Sequence, residues 1–169
     1  MLKKEKFLRK GLIFKVDKNH DWMYTHAQVP YGYPLDDKKV RVYYATRDIK
    51  SRCVATFIDI DGNNPKKILY VHDKICLGLG ELGMFDERGS MISCLVKNDK
   101  KLFMYYTGWN LGVDTSYRLA IGLAVSEDNG LTFNRYSNGP ILDRSKYDPA
   151  YCCTPYVLII NGKWKMWYL

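Results

Sequence analysis

The side chains able to do chemistry cluster at a few points of the chain. Asp86 lies in Gly83-Met84-Phe85-Asp86-Glu87-Arg88-Gly89. A carboxyl there can give or take a proton, or serve as a turn residue ahead of Gly89. His26 follows Trp22-Met23-Tyr24-Thr25. An imidazole titrates near neutrality, so it can act as a base or a donor, or be a satisfied structural residue. Arg47, Asp48 and Arg52 share the stretch Thr46-Arg47-Asp48-Ile49-Lys50-Ser51-Arg52. Guanidinium forks suit carboxylate or phosphate oxygens, whereas Asp48 either meets a ligand or staples its loop to an arginine. Trp22, Trp109 and Tyr151 offer flat faces for stacking or packing, and Asp114 and Arg118 follow Trp109 in another polar stretch.

Other chemistries lack their residues. There is no phosphate-cradling G-x-x-x-x-G-K-[ST], and the run Gly78-Leu79-Gly80-Glu81-Leu82-Gly83 opens no helical pattern. His20, His26 and His72 show no metal-ligand spacing, so neither metal nor cofactor is expected.

The elements that must position these residues repeat. Val40-Arg41-Val42-Tyr43-Tyr44, Leu102-Phe103-Met104-Tyr105-Tyr106 and Trp164-Lys165-Met166-Trp167-Tyr168 recur every 62 residues. Each reads as a half-buried strand. Turn signals precede them at Asp36-Asp37, Asn98-Asp99 and Asn161-Gly162, and further strand-like runs lie upstream at 27–31, 90–96 and 155–160. Each unit therefore opens with a hairpin. A polar loop and a third strand follow, at 53–60 and 117–126, then a turn and a short fourth strand near 67–70 and 131–136. Four antiparallel strands in about 60 residues is the size of one β-propeller blade. The only stretch that could compete as a helix is Lys3 to Lys10.

The 169 residues are 47% apolar and 26% charged, an ordinary globular composition. No run of about 18 apolar residues is present to form a membrane-spanning helix. The charged start, Met1-Leu2-Lys3-Lys4-Glu5-Lys6, leads into no apolar stretch, so no secretory signal is expected. The net charge of +8 suits solubility or a polyanionic partner such as nucleic acid or an acidic glycan. No nucleic-acid-binding module is recognisable, which makes nucleic acid the weaker choice. Five cysteines, with Cys152 and Cys153 adjacent, read as reduced thiols in a cytoplasmic protein.

The order of Trp22-x-x-x-His26-Ala27-Gln28-Val29-Pro30, Gly83 to Gly89, Met104 to Trp109, Ala120 to Ser126 and Gly139-Pro140-Ile141-Leu142 resembles the five-bladed β-propeller glycosidases of families 43, 32, 62 and 130. The resemblance covers nearly the whole chain. It implies an all-β, incomplete five-bladed propeller of about 2.7 blades, with blade-like units near 22–84, 85–148 and 149–169. By that period a full ring needs about 310 residues, so the chain reads as a fragment, or as one completed by a second chain. It also implies a protein that cleaves or transfers a glycosidic bond in an oligosaccharide or other glycan, with a link to bacterial surface-glycan metabolism. Such cleavage needs two carboxyls flanking the scissile bond. Asp86 then takes an acid/base or transition-state role, with His26 and Asp48 as further catalytic candidates. Arg47, Arg52, Trp109, Trp22 and Tyr151 are the sugar-binding candidates. His26 stands where the related enzymes commonly have an aspartate, which favours the alternative of a non-catalytic glycan-binding propeller. Finally, Ser126-Glu127-Asp128-Asn129-Gly130-Leu131-Thr132-Phe133 is similar to the Asp box of sialidases, a structural turn between outer strands.

Overall fold

The computed structural model describes residues 8–169, which contain ten strands and no helix. Lys3, Lys4 and Lys6 of the charged start, and most of the helical alternative, lie outside the described residues. Strands β1 (Thr25–Pro34), β2 (Lys39–Arg47), β3 (Cys53–Asp61) and β4 (Ile68–Val71) form one antiparallel sheet. Strands β5 (Gly89–Asn98), β6 (Lys101–Asn110), β7 (Arg118–Ser126) and β8 (Asn134–Arg135) form a second. A hairpin of β9 (Tyr156–Ile160) and β10 (Lys163–Trp167) begins a third. The chain is an all-β propeller of the five-bladed type, incomplete over the described residues: two blades and the first hairpin of another, with no ring closed.

The tyrosine pairs explain how the blades stack. Successive residues of a strand point to opposite faces, so the two tyrosines of each pair part company. Tyr43 packs toward the second blade with Phe57, Leu77, Met104, Tyr106 and Phe133. Tyr44 faces the other way, onto Met23, Ile58 and Phe14 of the N-terminal stretch. In the second blade Tyr106 looks back at the first blade, and Tyr105 looks forward to Val157, Met166 and Trp164 of the hairpin. The main chain contributes little to this stacking. A single parallel bridge, Cys53 to Gly89, joins the two blades.

The turn at Ser126–Thr132 is the structural device its sequence suggested. Asp128 Oδ1 accepts from Leu131 N and Thr132 N at 3.0 Å, and Thr132 Oγ1 donates to Asp128 Oδ2 at 2.6 Å. Gly130 has φ +82, and a Cβ there would collide with the Tyr43 hydroxyl, so only glycine serves. Two carbonyls of the turn are thereby turned toward the first blade. Tyr43 Oη donates to Gly130 O at 2.9 Å and Arg41 Nη1 to Asn129 O at 3.1 Å. Arg41 is itself held by Asp59 at 2.8 Å and lies over the Phe57 ring. The turn also shortens the outer strand. The sequence predicts strand over 131–136, but only Asn134–Arg135 pairs with β7, because 131–132 close the turn and Phe133 N bonds Cys76 O.

Burial alone would raise the Asp128 pKa, but hydrogen bonds from Thr132, Ser126 and Leu131 outweigh it and hold it at about 2, below the ordinary 3.8. A carboxylate with a depressed folded pKa stabilises above its unfolded pKa and loses that contribution as acid protonates it. The melting temperature of the native chain should exceed that of Asp128→Asn by a constant margin above about pH 5. The margin should shrink from about pH 4 and vanish only below about pH 2. Thermal melts across that range test it, and a margin independent of pH would remove the charge from the account.

Candidate functional site

Strands β2 and β6 end at one rim of the molecule, beside the starts of β1 and β5 and the segment entering β9. Arg47 and Trp109 occupy matching places there, each three residues after the second tyrosine of its repeat. They line one cavity of about 430 Å³ together with Met91, Tyr117 and Leu119. Met91 and Leu119 continue into a second cavity of about 340 Å³, walled by Val29, Thr107, Thr154 and Tyr156. Among the described residues, no carboxylate lines either space.

Beneath this groove lies Cys53, buried at the junction of the blades. Gln28 Nε2 donates to its Sγ at 3.4 Å. Burial raises the Cys53 pKa, while nearby Arg47 and Trp109 pull against it. Arg47 Nε and Trp109 Nε1 are buried without a hydrogen bond of normal geometry. A thiol is a poor acceptor, so both donors are held at a polar cost. Gly89 makes the approach possible, because a Cβ there would strike Trp109 Nε1 and Cys53.

The backbone at this rim is strained. His26, Val29 and Thr154 have φ of 63°, 45° and 48°. That conformation is a genuine outlier for a β-branched residue. The β1–β2 register is broken on both sides of Gln28. Such strain collects at functional sites, where the surrounding structure holds it in place.

The other sequence candidates lie elsewhere. Asp48 is spent on its own loop: Oδ1 accepts from Lys50 N and Arg52 N, and Oδ2 from Arg52 Nε, all at 2.8 Å. Burial acts to raise its pKa, but these bonds from Arg52 and Lys50 hold it low, so the loop-staple alternative describes what is seen. Asp86 has no exposed surface. Its Oδ2 accepts from Tyr106 Oη at 2.9 Å and Arg135 Nε at 2.8 Å, so it ties β8 to the crossover between blades rather than opening onto the groove. His26 is exposed, and its ring Nδ1 lies 2.9 Å from the Oγ1 of its neighbour Thr25. Trp22 stacks on His20 and packs against the outer side of the first blade. Tyr151 is exposed in the segment before β9 and lines neither cavity. Glu87 accepts from Gly83 N within the crossover. Thus Arg47 and Trp109 come together, Asp48 and Arg52 hold each other, and the rest are apart. The groove also contains Met91, Tyr117, Leu119, Val29, Thr154 and Tyr156, which sequence reasoning missed. Only the shared repeat position of Arg47 and Trp109 carried a signal for them.

No family model matches the chain. An uncharacterised protein of Mycobacterium tuberculosis, found alike in strains CDC 1551 / Oshkosh and ATCC 25618 / H37Rv, is 33% identical over 158 residues. That match covers 94% of this chain and 52% of the relative, so the chain spans about half the length of the curated relatives it matches. Among solved structures, a family 117 glycoside hydrolase produced by the marine bacterium Zobellia galactanivorans aligns with TM-score 0.69 at 12% identity, covering 92% of this chain and 52% of that one. A family 43 β-xylosidase/α-arabinofuranosidase from a compost metagenome, solved with xylotriose, aligns with TM-score 0.58 at 18% identity, covering 85% and 42%. The fold is that of the propeller glycoside hydrolases.

The Asp86–Arg135 pair gives a direct test of its structural part. Removing one partner strands a charge in the interior, whereas replacing both with apolar groups does not. Arg135→Ala should cost about 3 kcal/mol in urea unfolding. The double variant Asp86→Leu/Arg135→Met should recover much of that loss. Equal losses in both would place the pair outside the stabilising core.

Proposed function

We propose that this chain is part of a carbohydrate-active propeller and that the rim groove holds a glycan. The observation that carries the reading is the convergence of Arg47 and Trp109, from matching positions of neighbouring blades, on one cavity beside strained inner-strand starts. An indole face stacks on the C–H face of a sugar, and a guanidinium binds its oxygens. The likeness to glycoside hydrolases supports the ligand class through the fold only, since function belongs to the site.

Within this reading, holding sugar is the part assigned to the described residues. Cleavage or transfer of a glycosidic bond needs a carboxyl pair at the sugar, whereas Asp86 is buried away from the groove and Asp48 is bonded within its own loop. In a glycosidase reading the pair comes from elsewhere in the assembled ring, and a role in surface-glycan metabolism belongs to that assembly. The forward face of the β9–β10 hairpin, with Tyr156, Leu158 and Trp167 exposed, supports packing against a further sheet.

The test is a titration of the full chain with oligosaccharides, read by tryptophan fluorescence and calorimetry. Binding should perturb the emission, and Trp109→Ala should weaken affinity by about tenfold or more, the ordinary loss for a stacked aromatic anchor. Trp22→Ala, on the far side of the first blade, should leave it unchanged. Binding that survives Trp109→Ala would put the sugar elsewhere.

A further inference from the structure

Leu119 lines both rim cavities and also a third, of about 480 Å³, formed by the crossovers around the second blade. The three spaces thus share Leu119 as a wall and lie side by side on the face. The charged groups lining them are Arg47, Arg118, Arg144 and Asp143. Asp143 Oδ1 accepts from the backbone N of Arg144, which occupies part of the one negative group.

The arginines of this chain divide accordingly. Arg41, Arg52 and Arg135 each hold an aspartate at 2.8 Å, with Asp59, Asp48 and Asp86 as partners. Arg9, Arg47, Arg88, Arg118 and Arg144 have no ion pair among the described residues, and of these Arg47, Arg118 and Arg144 line the three spaces. Arg47 is moreover half-buried between Trp109 and the Cys53 junction, where a guanidinium is poorly hydrated. An unpaired guanidinium in a groove is best matched by an oxyanion, which it binds with two parallel hydrogen bonds. A neutral sugar leaves that demand unmet.

We propose, resting on the glycan reading above, that the groove selects glycans bearing an anionic group, a carboxylate or a phosphate, and that Arg47 is the residue that reads it. Arg118 and Arg144 extend the positive lining over neighbouring sugar units. The selectivity belongs to local geometry rather than to net charge, because the other lysines and arginines of the surface do not converge on this cavity.

The experiment applies the fluorescently labelled full chain to an array of neutral, uronic-acid-bearing and phosphate-bearing oligosaccharides, at low and at high salt. Acidic glycans should bind about tenfold more tightly than neutral counterparts of the same backbone. Arg47→Gln should remove that preference while retaining the residual neutral binding, and Arg118→Gln, at an exposed position, should reduce it in part. Preference within the uronic-acid or the phosphate group identifies which anion is read. Equal binding of neutral and acidic glycans overturns this inference and leaves the glycan reading standing. A preference unchanged in both variants also overturns it, as it then arises from net charge. No binding to any glycan overturns both.

Discussion

The Asp86 carboxylate, with no surface exposed, is the point on which the two blades turn. It belongs to neither sheet, for it lies in the crossover that leads from one to the other. Its Oδ2 receives Tyr106 from the face of the second blade and Arg135 from its outer strand, and Arg135 Nη2 continues to the carbonyl of Gly78 at 2.7 Å. Its own carbonyl accepts from Gly80 N and Gly89 N. One residue therefore fixes where the crossover ends and where β5 begins. Burial, followed by the neighbouring carboxylate, raises the Tyr106 pKa and keeps the phenol a donor. Gly80 and Gly108 make room for the carboxylate, since a Cβ at either position would press on Asp86.

From that anchor the interface extends toward the other rim with one further main-chain bond, Phe133 N to Cys76 O at 2.9 Å. At the far end, the first blade reaches across with Arg41 and Tyr43 to the carbonyls of the Asp128 turn. Between the two ends lies an apolar layer of aromatic and aliphatic side chains. Polar clamps at the ends and a greasy middle set the angle between blades. The same angle decides how far apart Arg47 and Trp109 stand, so the groove inherits its width from contacts well away from it.

The fold was legible because its signal is periodic and local. The aromatic pairs every 62 residues, with a turn before each, marked β2, β6 and β10 and the hairpins they belong to. The Asp128 turn was legible for the same reason, since all its hydrogen bonds run within a few residues. The outer strand β8 was not, because its extent is decided by how much chain the turn consumes. The site was legible only in part. Arg47 and Trp109 could be named from residue type and repeat position. Asp86 could also be named, but nothing in the local sequence shows that Arg135, 49 residues away, claims its carboxylate. Asp48 had two open roles, and the backbone amides of its own loop chose between them. Met91, Leu119 and Thr154 have side chains without chemistry of their own, so only the packing of two blades and the hairpin segment makes them a wall.

The lone bridge between Cys53 and Gly89 has a consequence for how such a chain comes into being. Every long ladder pairs strands adjacent in sequence, so each blade can collapse from a short loop at small entropic cost. Blades then behave as nearly independent foldons whose docking is a separate event, carried mainly by side chains. A chain built this way can grow by duplicating a unit, and it tolerates drift within one unit as long as the docking surfaces stay matched. Arg47 and Trp109 are unlike residues at one shared address of the repeat, the kind of difference that such tolerance permits.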